Sequence, residues 1–209
     1  IEHPLPFTPF KDFTGRSINE INLYSSEMAS ALCSIDRVSA SANMTNRLSE
    51  AIVEAYKETN GAPITFTKML EEYQSKMADP SKDDTISSVL KQLVRANIFE
   101  EEDKADLIGD CYIIKMDGYP KDGPIAKAIV YFLISKLNNI YEQLEKQATN
   151  DEVVQIRHFS IIDEAHYMLD FDNRPLRNLI AVGRNKGLSI ILATQNMDSF
   201  KSKHFDFYA

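Results

Sequence analysis

Two adjacent carboxylates, Asp163 and Glu164, close the apolar run Phe159-Ser160-Ile161-Ile162. A short β-branched run of this kind predicts a buried strand over 158–162. In open α/β sheets, ligands bind outside the carboxyl ends of the strands. A carboxylate at that edge can hold a hydrated Mg²⁺ beside a nucleotide phosphate, and its neighbour can take a proton from water. Asp163 is then the metal-holding residue and Glu164 the base. The same pair also suits a strand that merely ends in two solvated acids.

Gln195 follows Glu164 by 31 residues, at the end of the next apolar run, Leu188 to Ala193. In a parallel sheet the ends of neighbouring strands lie about 5 Å apart. Gln195 is therefore expected beside Asp163 and Glu164, where an amide can bond a γ-phosphate or an attacking water. The plainer alternative is a glutamine opening an ordinary loop. Between the two strands lies Gly183-Arg184-Asn185-Lys186-Gly187. It reads as a basic helix end favoured by the helix dipole and stopped by glycine.

These residues need a scaffold, and the second half of the chain predicts one. Cys111 to Met116 reads as a buried strand, with Cys111 in the core. Pro124 opens a long amphipathic helix carrying Ile125, Ile129, Phe132, Leu133, Leu137, Ile140 and Leu144. The strand 158–162 comes next, then a helix within 173–186 and the strand 188–193. Strand, helix, strand, helix, strand, with nearly continuous apolar strands, predicts a parallel sheet covered on both faces.

The first half differs. Residues 1–16 carry Pro4, Pro6, Pro9 and Gly15 and are expected to be an extended connector. Residues 17–109 read as a helical subdomain. Its helices begin at the S-x-x-E box Ser17 to Glu20, near Met44, at Thr65 or Thr67, and after Asp79-Pro80. No catalytic pattern and no repeat appear there. Residues 110–209 form the expected core.

Composition sets outer bounds. The 209 residues carry a net charge of −8, which excludes a small basic module reading DNA with its whole surface. Cys33 and Cys111 form no C-x-x-C pair and suit reduced thiols in a cytoplasmic protein. No run approaches the roughly 18 apolar residues of a membrane span. The sequence opens on Ile1 and closes on Ala209 without a polar tail, and is expected to be part of a longer chain.

Ile161 to Ala165, Gly183 to Gly187 and Ala193 to Gln195 together resemble the HerA/FtsK superfamily of hexameric P-loop ATPases. There a Walker B strand ends in D-E, a helix closes in G-R-x-x-G, and a strand ends in A-T-Q. Tyr112 to Gln147 is similar to the strand and long helix before Walker B in HerA-like ATPases, which include the conjugative secretion ATPases and DptH-type ATPases. The resemblance covers residues 110–200. It implies a RecA-like P-loop NTPase core of α/β class preceded by a helical insertion, ATP with Mg²⁺, a ring of subunits, and DNA as the polymer. It also implies Asp163 and Thr194 as cofactor-binding residues, Glu164 and Gln195 as catalytic residues, and Arg184 as a finger acting on the neighbouring subunit's nucleotide.

One part of that pattern is missing. The seven glycines precede Arg16, Ala62, Asp110, Tyr119, Pro124, Arg184 and Leu188, so no G-x-x-x-x-G-K-[ST] loop exists in this sequence. A catalytically inert scaffold on the same fold therefore stands beside the motor reading. Asp163-Glu164-Ala165-His166 also spells the box of DEAH helicases, but the strand after it ends in A-T-Q rather than S-A-T. His166 and His158 lie at opposite ends of one strand, too far apart to share a metal. Both are expected to be structural or exposed.

Overall fold

The computed structural model describes residues 4–35, 40–116, 118–121, 123–150, 153–169 and 171–201. Two compact units divide the chain: Ile1–Lys104 with Met116–Ile129, and Ala105–Lys115 with Val130–Ala209.

Among the described residues, the first unit contains α1 (Ile18–Ile35), α2 (Ala42–Glu58), α3 (Phe66–Ser75) and α4 (Thr85–Ala96). Each starts where a short polar side chain can satisfy an orphan N–H. At α1 the Glu20 N–H donates to Ser17 Oγ at 3.4 Å, and the Ser17 N–H donates back to Glu20 Oε2 at 3.1 Å. Ser41 caps α2 and Thr65 caps α3. Asp84 caps α4 in a reciprocal box with Ser87. Asp84 Oδ2 also accepts from Tyr73 Oη at 2.7 Å and from Arg47 at 3.2 Å, tying α2, α3 and α4 together.

The apolar stripes then meet: Met28, Leu32, Leu48, Ile52, Met69, Tyr73, Val89 and Leu90 are all buried. The proline-rich stretch before α1 packs into this unit through the buried Phe7, Phe10 and Phe13, and Leu5 forms a parallel bridge with Phe99. α2 stops at Asn60 and Gly61, both with positive φ. A Cβ on Gly61 would lie 2.6 Å from the Phe13 carbonyl oxygen, so glycine is what lets this stretch approach.

α5 (Pro124–Gln143) has Pro124 in its first turn, as expected. Its residues from Val130 onward belong to the second unit. They are followed by a short antiparallel pair, β1 (Thr149–Asn150) and β2 (Val153–Val154). Then come β3 (His158–Ile162), α6 (Arg174–Gly183) and β4 (Leu188–Leu192). β3 and β4 are parallel and in register from His158 opposite Leu188 to Ile162 opposite Leu192. This is a β-α-β crossover whose two strands share one carboxyl edge.

Two expectations fail in this unit. Cys111–Met116 forms no strand: Ile113 is 85% exposed, and Cys111 lies on the surface rather than in the core. A β-branched run becomes a strand only when a ladder takes up its backbone groups, and none of the described residues pairs with it. The β3–β4 sheet is also not covered on both faces among the described residues. Phe159, Ile161 and Ile191 share a face and are 58%, 69% and 46% exposed, while the alternate residues are at least half-buried. Two strands with one crossover leave that face without a layer.

Candidate functional site

The carboxyl ends of β3 and β4 are knotted together by backbone bonds. The Ala193 N–H donates to Ile162 O at 2.9 Å, and the Ala165 N–H donates to Ala193 O at 2.8 Å. Between these bonds the chain turns sharply at Glu164, whose φ of 53° and ψ of 41° are left-handed. That conformation costs a non-glycine residue roughly 1–2 kcal/mol. Such strain persists only where the surroundings fix it, and it clusters at functional sites. A 3-10 turn over Ala165–Tyr167 follows at once and brings His166 back toward the strand ends.

The turn aims the two acids differently. Asp163 is exposed, and one of its oxygens, Oδ1, accepts the Glu164 N–H at 2.9 Å. The Glu164 side chain is only 25% exposed. Gln195 Nε2 donates to Glu164 Oε1 at 2.7 Å. Of the adjacency expected from strand spacing, the part between Gln195 and Glu164 is present as a direct hydrogen bond, while Asp163 accepts the Glu164 N–H. Thr194 is half-buried beside them, with Oγ1 3.4 Å from His166 Nδ1. His166 Nδ1 also lies 3.4 Å from Glu164 Oε2. His166, expected to be structural or exposed, thus lies against both Glu164 and Thr194. Its place two residues after Glu164 does not by itself reveal the left-handed turn that brings it there.

Arg184 is not brought to this edge. It opens the 3-10 turn Arg184–Lys186 that leads into the amino end of β4, whereas Gln195 follows the carboxyl end. A five-residue strand separates the two ends by about 17 Å. Arg184 is exposed.

The rest of the G-R-N-K-G segment has structural work. Lys186 Nζ donates to the carbonyls of Tyr141 at 2.5 Å and Glu142 at 2.9 Å, satisfying the end of α5. The Asn185 carbonyl accepts the Gln147 N–H at 2.9 Å. Gly187 has φ +84°, and a Cβ there would lie 2.6 Å from Gln155 O.

The donor set suits half of a nucleotide site. Asp163 is an exposed carboxylate of the kind that holds Mg²⁺ through water, with substrate oxygens completing the shell. Among the described residues no three His, Cys, Asp or Glu side chains converge on a metal position. Glu164 Oε2 is buried without a hydrogen-bond partner, its near neighbour being His166 Nδ1 at 3.4 Å. The sequence supplies no phosphate-binding loop for the other half.

No family model and no curated protein matches the chain. Among solved structures, VirB4 of Thermoanaerobacter pseudethanolicus superposes with a TM-score of 0.63 at 18% identity, over 93% of this chain and 55% of that one. The chain thus spans about half the length of VirB4. The α/β fold expected from the strand–helix alternation is therefore one this chain shares with VirB4.

Proposed function

We propose that this chain is the portion of a HerA/FtsK-type ATPase that carries the metal-holding and water-activating carboxylates. In this reading it belongs to a longer protein that couples ATP hydrolysis to translocation or unwinding of DNA. The observation that carries the proposal is the 2.7 Å hydrogen bond between Gln195 and Glu164 at the shared carboxyl edge of two parallel strands. The likeness of fold to VirB4 supports it, as do the D-E, G-R-x-x-G and A-T-Q motifs.

Mg²⁺ supplies charge neutralisation on the phosphate oxygens when bound. Asp163 is the residue to hold it, through water. Glu164 takes the proton of the attacking water. Gln195 fixes Oε1 of Glu164, and Thr194 flanks the same edge. Arg184 stands too far from Glu164 to serve the same nucleotide, so its proposed place is at the next subunit's phosphates in a ring. Its planar fork suits bidentate pairing with phosphate oxygens.

A second reading, an inert scaffold on the same fold, is favoured by the missing phosphate loop. Mg²⁺-dependent ATP hydrolysis by the longer protein, measured with and without DNA, separates the two. The motor reading expects hydrolysis that DNA accelerates. Absence of hydrolysis under both conditions would leave the scaffold reading, and hydrolysis indifferent to DNA would remove DNA as the polymer.

A further inference from the structure

The Glu164 carboxylate is secured on one side only. Gln195 Nε2 holds Oε1, while Oε2 is buried without a hydrogen-bond partner. A desolvated carboxylate oxygen is normally met by a donor. A candidate is in place: His166 Nδ1, 3.4 Å away. The imidazole is backed by the Tyr167 ring, with centroids 4.1 Å apart and planes inclined by 37°. Its Nδ1 also lies 3.4 Å from Thr194 Oγ1, so the ring bridges the Glu164 turn and the end of β4.

We propose that His166 is a positioning residue whose Nδ1–H closes on Glu164 opposite Gln195 and fixes the direction in which the carboxylate points. The inference rests on the ATPase reading for its consequence, but not for the contact itself. The tautomer follows from chemistry. A neutral imidazole carries its proton on one nitrogen and a lone pair on the other. A lone pair on Nδ1 would face a carboxylate oxygen, whereas a proton there is attracted to Oε2 and leaves Thr194 Oγ1 as a second acceptor. With both oxygens engaged, Glu164 cannot rotate about its terminal torsion, which is otherwise broad.

Two measurements test this. The first uses this chain without nucleotide. Long-range ¹H–¹⁵N correlation of the imidazoles, with His166 assigned by loss of its signals in His166→Asn, reads the tautomer directly. The expected result is protonated Nδ1 in the native chain, with that preference lost in Glu164→Ala. A bare Nδ1 with protonated Nε2 would overturn the contact.

The second uses the longer ATPase. The amide nitrogen of His166→Asn falls where Nδ1 sits, while that of His166→Gln falls where Nε2 sits. His166→Ala and His166→Gln are expected to lower kcat about tenfold with KM for ATP unchanged, the scale on which orienting partners act. His166→Asn should recover most of the loss. Equal effects of Asn and Gln, or a change confined to KM, would refute the positioning role. If the native protein hydrolyses no ATP, the ATPase reading fails while the tautomer still decides the contact. If Glu164→Gln abolishes hydrolysis while all three His166 variants behave alike, only the positioning role falls.

Discussion

Replacing Gly187 by alanine is expected to destabilise the strand pair far more than its one added methyl group suggests. Gly187 sits at φ +84°, where a side chain costs roughly 1–2 kcal/mol in backbone energy alone. The new Cβ would lie 2.6 Å from Gln155 O, 2.9 Å from Gln147 Cγ and 3.0 Å from Arg157 N. Two of these contacts are backbone and cannot rotate away. Relief must move the segment before β3, yet the Arg157 and His158 N–H groups both donate to Gly187 O, at 2.7 and 3.1 Å. Weakening those bonds adds about 1 kcal/mol each. The sum is about 3–4 kcal/mol, or roughly 6–16 °C in Tm for a chain of this length.

Gly15→Ala is the control. Its φ is +73°, but nothing lies within 4 Å of the added methyl, so only the backbone cost applies. The expected drop is about 2–8 °C. The two glycines lie in different units, so thermal melts by circular dichroism are read alongside amide hydrogen exchange in each unit. Equal loss in the two variants would show that the close approach at Gly187 contributes nothing.

Other outcomes follow from the same geometry. Lys186→Met keeps the stem but loses both carbonyl bonds at the end of α5, and should cost about 1–2 kcal/mol by urea unfolding. Tyr73→Phe removes the hydroxyl bond to Asp84 Oδ2 and leaves Arg47 in place, for about 1 kcal/mol in the same assay. The chain alone should show no Mg²⁺-dependent ATP turnover, because positioning and charge stabilisation carry phosphoryl transfer and the phosphate loop supplies much of both. Robust turnover lost in Glu164→Gln would mean that the phosphate site lies elsewhere in this sequence. In the longer protein, Arg184→Ala and Glu164→Gln should each lower activity by about 10³, and mixed rings should regain part of it. A mixture as inactive as its components would return Arg184 to the role of a helix-end cation.

The sequence made the helices legible because capping is local. Ser17 with Glu20 and the Asn60-Gly61 stop act over three or four residues, and both are found where expected. The Glu164–Gln195 contact was legible for another reason: a parallel pair in register places strand ends side by side whatever the loops do. Cys111–Met116 was misread because an apolar β-branched run states only a preference, and the preference becomes a strand only if a ladder exists. Residues 4–16 show the converse. Their prolines correctly exclude helix, but burial of Phe7, Phe10 and Phe13 depends on partners such as Phe66, Tyr24 and Tyr56 that separate helices supply. The contact of His166 with Glu164 was not legible, because nothing in its spacing reveals the left-handed turn at Glu164 that carries it back to the strand ends.

Single-turnover hydrolysis of prebound ATP in the longer protein, comparing native Glu164 with Glu164→Gln, tests the central claim most directly. The substitution preserves shape and the contact with Gln195 but removes the group that accepts a proton. A catalytic base is worth about 10²–10⁴ in rate, so the chemical step should fall by at least about 10² while ATP affinity stays within about threefold. An unchanged chemical step, or a loss that appears only as weakened ATP binding, would contradict the assignment of Glu164 as the residue that activates water.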